Sequence, residues 1–596
     1  MEKIIVFNIA TEDLNDFRCM ALRAKEMGAT HVMAAQMPRS RWMWEQDRND
    51  PYPNWSMGHA QLFKLVCPPE LKEFLPQDHI QKCFDLLKAR CDILKATGLR
   101  PALFGNEPFW LPEEGYRKHP AWRGARCDHP RRSKKPYYSP CIDNPEVLSM
   151  YRDAVKVLCE ETGIDFMHFM SNDSGGGLCW SSGTYAGPNG PAACRERSMA
   201  DRITGFLDAI SEGAREAGVD AVIHFNSDID FKDKEISVAT ACPGLKGNQL
   251  VNRMNNRCET AVTSILDVGA PGRPVKKIPA MVSFVRFAMQ AQNSVTPVTM
   301  VDIPRSDFDE AWLVYEKVRQ YKEKGLGISN IGDCFSVLKE AAAELAGETQ
   351  AGSLLDAWYE IDEAYSHLSH TGLDLIMYGC QHQRWINRPF VLFPMELAGE
   401  DRDYYRQFQF QALMEEDAND LMNLQGIEGV RGFTAAFMVT ETVKKAIRCL
   451  DRAVSKVEDL RKSAGEEEMR RKFTLLQKRL SAERCFYRNI IHAVRFQELV
   501  DRTDFENSPV LSLRWPTRND SRIEEFQNIT RAEIDNTYEL IGIIEDCLEE
   551  VILCAEPEQE DIFVYSTQLV SQLRRKAEIM LDHMNDGCRV YETHNI

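Results

Sequence analysis

An acidic side chain followed by three glycines forms the part of this sequence best suited to chemistry. The apolar run over residues 164–170 predicts a buried strand, and Asn172 and Asp173 follow it shortly before glycines 175–177. Catalytic side chains of α/β enzymes stand where a parallel strand gives way to a loop, and glycine lets a ligand approach the backbone closely because it has no Cβ. The pattern favours a catalytic Asp173, with a solvent-exposed Asx turn as the structural alternative.

Polar side chains recur at the ends of the other predicted strands. The carboxyl ends of the strands of a barrel meet at one mouth, so we expect these residues to lie near Asp173. Amides and carboxylates match the donors and acceptors of sugar hydroxyls, and two carboxyl groups can cleave a glycosidic bond, one as proton donor and one as nucleophile, base or stabiliser. The candidate carboxylates beside Asp173 are Glu107, Asp228 and Asp302, and the candidate substrate-binding residues are Asn8, Gln36, Asn106, Asn172, Trp180, His224 and Asn226.

Each of these candidates also has a structural interpretation. Glu107 could form a loop ion pair, and Asp228 and Asp302 could anchor loops at the barrel rim. A lone histidine on an apolar strand, such as His224, is more often a core residue than a catalyst. Tryptophans of the predicted mouth loops could stack on sugar rings or could only pack loops, and they are Trp42, Trp44, Trp55, Trp110, Trp122 and Trp180.

A basic segment follows the third predicted strand of this acidic chain. Arginine forks pair well with carboxylate or sulfate, so the segment would suit an anionic sugar if it lies beside the mouth. A subunit contact or a solvated loop is the alternative, and the sequence favours it. The cations of the segment are Arg117, Lys118, Arg123, Arg126, Arg131, Arg132, Lys134 and Lys135.

The elements that must position these residues alternate between strand and helix in the first half of the chain. Hydrophobic periodicity predicts helices over 14–27, 79–97, 145–161 and 199–217, and strands over 3–9, 30–36, 100–104, 164–170, 220–225, within 241–251, over 297–301 and over 327–331. Eight such units predict an α/β fold, a (β/α)8 TIM-type barrel over residues 1–335 with long upper-face loops. A doubly wound sheet is the competing fold, and strand one lacks the G-x-G-x-x-G fingerprint that would support it.

The second half, residues 336–596, has the pattern of long helices. Residues 441–462 and 466–503 carry apolar side chains at three- and four-residue spacing, as in antiparallel helical hairpins. We expect a mostly α-helical C-terminal domain that packs against the barrel or builds a homo-oligomer. The aromatic, proline-bearing segment 378–394 predicts a non-helical crossing to the barrel or to a partner subunit.

Composition excludes several classes of partner and cofactor. The net charge of −18, from 72 basic and 90 acidic residues, argues against general nucleic-acid binding, which requires an excess of Lys and Arg. No apolar run reaches the roughly 20 residues of a membrane span, and the N-terminus lacks the pattern of a signal peptide. The 18 cysteines contain no C-x-x-C pair. We therefore expect a cytoplasmic protein with reduced thiols, without metal or cofactor.

Two motifs of the first half are distinctive. One is Asn172-Asp173 with the glycine-rich loop that carries Cys179 and Cys194, and the other is the stretch from Cys141 to Val147, CIDNPEV. Both resemble segments of bacterial (β/α)8-barrel glycoside hydrolases of the β-N-acetylhexosaminidase and α-glucuronidase type, which append a helical domain to the barrel. In hexosaminidases the first residue of an adjacent acidic pair orients the substrate acetamido group, and the second is the general acid. The resemblance implies that Asp173 is the general acid, with Asn172 at the first position.

The sequence therefore predicts an exo-acting glycosidase for small oligosaccharides or glycosides, with an amino sugar or an anionic sugar as a candidate substrate. Two alternatives come from other classes. One is a sugar isomerase or lyase on a barrel scaffold, which would usually need a metal. The other is a non-catalytic carbohydrate-binding or assembly protein.

Overall fold

The computed structural model of the protein describes residues 4–9, 13–35, 60–108, 110–127, 137–170, 199–226, 248–251, 275–293, 298–303, 308–325, 331–369, 385–408, 433–503, 521–552, 554–555 and 565–586. The chain divides into two compact units. The first, here called the sheet unit, is Met1–Val268 with Arg286–Ile328, and the second, the helical unit, is Gly269–Val285 with Ser329–Ile596. A segment that precedes the last strand of the sheet thus belongs to the helical unit.

The sheet unit alternates strands and helices along the chain. Its described elements are β1 (Ile4–Ile9), α1 (Leu14–Glu26), β2 (His31–Ala35), α2 (Leu62–Leu65), α3 (Gln77–Thr97), β3 (Arg100–Asn106), α4 (Glu113–Lys118), β4 (Arg123–Arg126), β5 (Tyr138–Pro140), α5 (Pro145–Thr162), β6 (Phe166–Met170), α6 (Met199–Glu216), β7 (Val222–Asn226), β8 (Asn248–Val251), α7 (Met281–Asn293), β9 (Val298–Ile303) and α8 (Asp309–Glu323), with short 3-10 helices at Pro69–Leu71 and Pro120–Trp122. Helix α7 begins in the helical unit. The predicted strands as far as residue 301 are confirmed. Of the predicted strand over 327–331, only Ile331 is described, and it begins a helix.

Seven of the described strands form one parallel sheet. Their order is β8-β7-β6-β3-β2-β1-β9, while β4 and β5 make a separate antiparallel hairpin. The order follows the chain without reversal from β1 to β8, and the last strand, β9, pairs with β1 from Ile4↔Val298 to Ile9↔Ile303. A doubly wound sheet reverses its order at a switch point, whereas a barrel brings its last strand beside its first. The described part is therefore an α/β fold in which the strand order from β1 to β8 has no reversal.

Both faces of the sheet are covered by apolar side chains. On one face, alternate strand residues form a cluster that includes Val6 of β1 and Phe104 of β3. On the other face, Phe7 stacks on Trp312 of α8 at 6.2 Å between ring centroids and meets Tyr315 edge-on at 5.5 Å. A parallel sheet that is buried on both faces needs apolar residues along the whole length of its strands. Polar side chains are therefore expected at the strand ends.

Local capping sets the ends of α5. Asn144 Oδ1 accepts hydrogen bonds from the backbone N–H groups of Glu146 (2.9 Å) and Val147 (3.2 Å), and Pro145 takes the first helical position. The helix ends at Gly163, whose φ of 66° lies in the left-handed region that favours glycine. The Asn-Pro-Glu-Val part of the second sequence motif is therefore the start of a helix.

The helical unit consists mainly of long helices. Its described elements are α9 (Ile331–Ala346), α10 (Ala351–Ser369), α11 (Gly399–Gln407), α12 (Phe433–Ser463), α13 (Glu467–Thr503), α14 (Ser521–Ile544), α15 (Leu548–Val551), β10 (Cys554–Ala555), β11 (Tyr565–Ser566) and α16 (Leu569–Asp582), with a 3-10 helix at Pro394–Glu396. The two helices predicted over 441–462 and 466–503 are present as α12 and α13. Within the described ranges, no helix of the chain is both long enough and apolar enough to cross a membrane.

A buried carboxylate joins three helices of this unit. Glu533 of α14 lies beside Lys576 of α16, accepts a hydrogen bond from Asn489 Nδ2 (2.7 Å) and contacts His492 Nδ1 (2.6 Å), both on α13. Lys576 Nζ also donates to the carbonyl of Ile386 (2.9 Å). Burial alone would raise the pKa of Glu533, but Lys576 and His492 lower it below its usual range. The group is therefore a charged carboxylate inside the core.

The described end of the segment 378–394 packs inside the helical unit. Residues 385–392 are buried, and Phe390 stacks on Phe496 at 4.8 Å between ring centroids. The Arg388 guanidinium donates to the carbonyl of Phe408, with its Nη2 at 2.6 Å. The sequence predicted a crossing to the barrel or to a partner subunit, and these residues instead form part of the core.

A tertiary contact fixes the start of α7. Asp362 of α10 accepts hydrogen bonds from the backbone N–H groups of Val282 (2.8 Å) and Ser283 (3.0 Å), and from the Ser283 hydroxyl (3.0 Å). The first N–H groups of a helix have no partner within the helix, and a negative charge there also favours the helix dipole. Asp362 thus caps a helix that is distant from it in sequence.

We expect Asp362→Ala to lower the free energy of unfolding by about 1–2 kcal/mol, because the N–H groups of Val282 and Ser283 lose their acceptor. Urea unfolding followed by circular dichroism measures the change. Asp356→Ala on the same helix is the matched control, since its exposed carboxylate pairs with Lys456 at 3.2 Å, and we expect a change of about 0.5 kcal/mol or less. Equal effects of the two substitutions would contradict the capping role.

We expect Lys576→Met to lower the free energy of unfolding by about 3–5 kcal/mol, because it leaves the charge of Glu533 buried without its cation. The same urea titration measures it. Arg574→Met is the control on the same helix, since the exposed guanidinium pairs with Glu545 at 2.8 Å and surface pairs contribute little. A Lys576→Met protein as stable as the wild type would show that Glu533 is neutral in the folded state.

Candidate active site

Four strands of the sheet have a polar residue at their last or next-to-last position, near its carboxyl edge. Asn8 of β1 pairs in register with Asp302 of β9, and Asn106 of β3 lies in one row with Met170 of β6 and Asn226 of β7. Neighbouring strands are about 4.8 Å apart, so the backbones of Asn106 and Asn226 lie roughly 10 Å from each other. The fold thus places four of the strand-end residues selected from the sequence at one edge of one sheet.

Alternation along the strands explains where these amides lie. Val6 precedes Asn8 on the same face of β1, and Phe104 precedes Asn106 on the same face of β3, because residues two apart share a face. Both asparagines are nearly enclosed, with 4% of Asn8 and 3% of Asn106 exposed. An apolar row on this face of the sheet therefore gives way to buried amides at the carboxyl edge.

Two histidines lie two residues before the row of Asn106 and Asn226, on the same face of the sheet. His168 of β6 and His224 of β7 are register partners with 6.2 Å between their ring centroids, and His168 stacks on Phe104 at 5.4 Å. His224 is fully buried. The sequence predicted that His224 would contact a substrate at the end of β7. In the structure His224 is buried below that end.

Glu107 follows β3 directly, and both of its carboxyl oxygens are engaged. Oε1 accepts a hydrogen bond from the backbone N–H of Leu62 (2.6 Å), and Oε2 accepts one from the hydroxyl of Tyr151 (2.8 Å). Only 1% of the residue is exposed. The structural alternative drawn from the sequence was a loop ion pair, and a backbone amide and a phenol hold the carboxyl group instead.

The environment of Glu107 changes its protonation. Burial raises the pKa of Glu107 to about 8, and the hydrogen bonds from Leu62 and Tyr151 offset part of that rise. An unperturbed glutamate has a pKa of about 4.3. Glu107 is therefore mostly a neutral carboxylic acid near pH 7.

Several predicted site residues lie outside the described part of the chain. They are Gln36, Asn172, Asp173, Trp180 and Asp228, together with Trp42, Trp44 and Trp55 of the predicted mouth loops. For Asn226 and Asp302 the structure describes the backbone alone. The catalytic and substrate-binding roles given to all of these residues stay predictions.

Two tryptophans of the predicted mouth loops are described, and both pack against the protein. The indole N–H of Trp122 donates to Glu146 (2.7 Å), and its ring stacks on His119 at 3.8 Å between centroids. Trp110 packs against Cys127 and Tyr137. Their aromatic faces therefore stabilise loops.

Two described cations of the basic segment, Lys118 and Arg123, take part in local pairs. Lys118 pairs with Glu73, and Arg123 pairs with Glu113 and lies 4.6 Å from the ring centroid of Tyr138. The charges of Lys118 and Arg123 are therefore paired within the protein. An anion-binding role stays a prediction for Arg117, for Arg126, of which the backbone alone is described, and for the cations outside the described residues, which are Arg131, Arg132, Lys134 and Lys135.

The residues that hold Glu107 were not selected from the sequence. Tyr151 stands 44 positions after Glu107, on the apolar face of α5, where periodicity predicts a core residue. Leu62 contributes its backbone N–H, which is common to every residue type except proline. Lys64, two positions further along α2, is fully buried. No spacing in the sequence connects these residues, because their contacts depend on how α2 and α5 pack.

Metal ligands are dispersed in the part of the chain that the structure describes. No three His, Cys, Asp or Glu side chains there are grouped closely enough to hold an ion. The two histidines of the sheet have aromatic neighbours, since His168 stacks on Phe104 and His224 meets Phe166 edge-on at 5.1 Å. The absence of a metal or cofactor stays a prediction for the whole protein.

Comparison with known proteins gives likenesses of structure. No protein-family model and no curated protein sequence matches the chain. A solved GH138 enzyme targeting pectin rhamnogalacturonan II superposes with a TM-score of 0.53 at 10% identity, over 100% of this chain and 69% of that enzyme. This likeness shows a related fold.

Two further solved structures are less similar. The GH20 chitobiase of Flavobacterium johnsoniae gives a TM-score of 0.32 at 10% identity, over 97% of this chain and 78% of that one. A GH36 α-galactosidase of Geobacillus stearothermophilus gives 0.31 at 11% identity, over 55% of this chain and 43% of the enzyme. TM-scores this low do not indicate a common fold.

The raised pKa of Glu107 predicts that stability falls as the pH rises from about 5 to 8. In this interval the folded protein keeps the proton of Glu107 and the unfolded chain releases it, so the free energy of unfolding decreases by up to about 1.4 kcal/mol per pH unit. Glu107→Gln removes the titrating group and should flatten this dependence in urea titrations across the interval. Glu161→Gln, at an exposed carboxylate paired with Lys88, is the control. A Glu107→Gln profile that parallels the wild type would contradict the neutral carboxylic acid.

Proposed function

We propose that this chain is a glycoside hydrolase that acts from chain ends on small oligosaccharides or glycosides. The observation that carries this proposal is the position of two register groups, Asn8 with Asp302 and Asn106 with Asn226, near the carboxyl ends of the strands of one parallel sheet. Amide and carboxylate side chains there suit sugar hydroxyls. The related fold of a GH138 enzyme supports the same reading.

We further propose that the sheet closes into an eight-stranded barrel. The pairing of β9 with β1 supports closure on one side, and the unbroken order from β1 to β8 supports winding in a single direction. In barrel enzymes the carboxyl ends of the strands surround one mouth. Closure would place the end of β6, which leads to Asp173, among the ends of the other strands.

The catalytic roles are assigned by position along the strands. Asp173, three residues after β6, is proposed as the general acid that protonates the leaving oxygen. Of the three candidates for the second carboxylate, Glu107 has both oxygens bonded within the protein, so we propose Asp302, which pairs with Asn8, or Asp228, which lies two residues after β7. The distance between the two carboxyl groups would decide the outcome, with about 5–5.5 Å for retention and about 6.5–9.5 Å for inversion.

The other strand-end residues are proposed to bind the substrate. Asn172 would hold a hydroxyl or acetamido group beside the cleaved bond, and Trp180 would stack on a sugar ring. Gln36 and His224 belong to the same set, with His224 acting from beneath Asn226 because it is buried. The substrate class is proposed to be an amino sugar or an anionic sugar.

The cellular location and the oligomeric state are also proposals. A cytoplasmic location is supported by the described cysteines, which are free thiols as expected in a reducing compartment. The helical unit is proposed to pack against the barrel or to build a homo-oligomer. Neither a metal nor a cofactor is part of the proposed reaction.

The first experiment is a panel of nitrophenyl glycosides that includes N-acetylhexosaminides, uronides and neutral hexosides, with and without EDTA. We expect chelator-insensitive release of nitrophenol from one class of sugar. Nitrophenol release that disappears with EDTA would favour a metal-dependent barrel enzyme over the proposed metal-free hydrolase. Sugar binding without turnover of any panel member or natural glycoside would favour a carbohydrate-binding protein.

The role of Asp173 is tested by Asp173→Asn on substrates with good and poor leaving groups. A poor leaving group needs protonation, so we expect kcat/KM to fall by about 10²–10⁴ for alkyl or sugar aglycones and much less for nitrophenyl ones. Asp208→Asn, at an exposed position of α6, is the matched control and should leave both rates unchanged. Full activity of Asp173→Asn on a natural glycoside would contradict the assignment.

A further inference from the structure

The carboxyl end of β3 is bonded to the segment that leads into α2. The backbone N–H of Asn106 donates to the carbonyl of Ala60 (2.9 Å), and the N–H of Leu62 donates to Glu107 Oε1 (2.6 Å). A Cβ on Gly105 would lie 3.1 Å from the carbonyl oxygen of Ala60, so the two backbones are in close contact. Three consecutive residues at the end of β3 thus face residues 60–62.

Helix α5 completes the contact. The hydroxyl of Tyr151 donates to Glu107 Oε2 (2.8 Å), and the ring of Phe63 stacks on that of Tyr151 with 4.4 Å between centroids. Tyr151 and Leu62 therefore hold the two oxygens of one carboxyl group from two different helices. The group joins β3, α2 and α5 at a single point.

Its hydrogen bonds distinguish this carboxyl group from one that acts on a substrate. A catalytic carboxyl group must touch the reacting atoms, but both oxygens of Glu107 are occupied by the protein and 1% of the residue is exposed. A neutral acid fits this environment, because its carbonyl oxygen can accept from Leu62, its O–H can donate to the Tyr151 oxygen, and it carries no charge that needs a cation. Burial raises the pKa of Glu107 to about 8, in agreement with the geometry.

We propose that Glu107 is a positioning residue, which fixes residues 60–65 and the neighbouring Asn106 at the carboxyl edge through the Leu62 amide and the Tyr151 hydroxyl. The purpose of this positioning rests on the proposed function, since Asn106 is one of the proposed substrate-binding residues. The hydrogen bonds of Glu107 do not rest on that function. With Glu107 in this role, Asp228 and Asp302 remain as the candidates for the second carboxylate.

Two substitutions separate positioning from catalysis. Glutamine is neutral and of the same shape, so in Glu107→Gln its carbonyl can accept from Leu62 and its amide can donate to the Tyr151 oxygen. In Glu107→Ala both partners lose their bond, and a buried N–H is left without an acceptor. Glu161→Gln, on the exposed side of α5, controls for the loss of one carboxylate.

Hydrogen exchange followed by mass spectrometry tests the positioning without any substrate. In a peptide that covers residues 60–66, we expect Glu107→Ala to exchange at least about 10-fold faster than the wild type, and Glu107→Gln to stay within about 3-fold. If Glu107→Ala fails to fold, Tyr151→Phe takes its place and should accelerate the same peptide to a smaller degree. Unchanged exchange in Glu107→Ala, or in Tyr151→Phe where it replaces that variant, would overturn the proposal.

Kinetics on the glycoside released in the nitrophenyl panel provide the second measurement. We expect Glu107→Gln to keep kcat/KM within about 10-fold of the wild type, whereas loss of a catalytic acid or base costs about 10²–10⁴. A larger loss in Glu107→Gln with unchanged exchange would show that Glu107 touches the substrate and would overturn the proposal. A wild-type protein without glycosidase activity would refute the proposed function alone, because the exchange experiment still decides the role of Glu107.

Discussion

Burial of both faces of a parallel sheet is the constraint on which the rest of the structure depends. Phe7 faces helix α8, and Val6 and Phe104 belong to the apolar cluster on the opposite face. Little of the strands reaches solvent. Polar side chains are costly within such strands unless they find partners, so they concentrate where the strands end. Because all these strands run in the same direction, their carboxyl ends share one edge, and Asn8 and Asn106 are placed there by the winding of the chain.

Two of the buried carboxyl groups, Glu533 and Glu107, are stabilised in opposite ways. Glu533 keeps its charge, because Lys576 and His492 lower its pKa against the effect of burial. Glu107 has a backbone amide and a phenol as partners, and burial raises its pKa instead. An ion pair fixes helices together at the cost of desolvating two charges, whereas a neutral acid needs only hydrogen bonds. Glu533 of the helical unit uses the first solution, and Glu107 of the sheet unit uses the second.

Residues that look like functional signatures in the sequence can have structural reasons. Asn144 and Pro145 begin α5, with the side chain of Asn144 accepting from two backbone N–H groups. Trp122 is held by Glu146 of the same segment. The resemblance of this stretch to barrel glycoside hydrolases therefore reflects how a helix starts and how a loop packs on it. For the motif around Asp173, the sequence leaves a solvent-exposed Asx turn as the structural alternative, and these residues lie outside the described part of the chain.

The sequence by itself determined the strands and helices and the polar character of the strand ends, because periodicity, caps and apolar runs act over a few residues. Asn8, Asn106 and Asn226 could be selected in this way. Only the tertiary structure decided that β9 lies beside β1, that Glu107 is enclosed by Leu62 and Tyr151, and that residues 385–392 are core. These outcomes depend on contacts between residues tens to hundreds of positions apart, and the burial they create sets protonation and access, which no local pattern encodes.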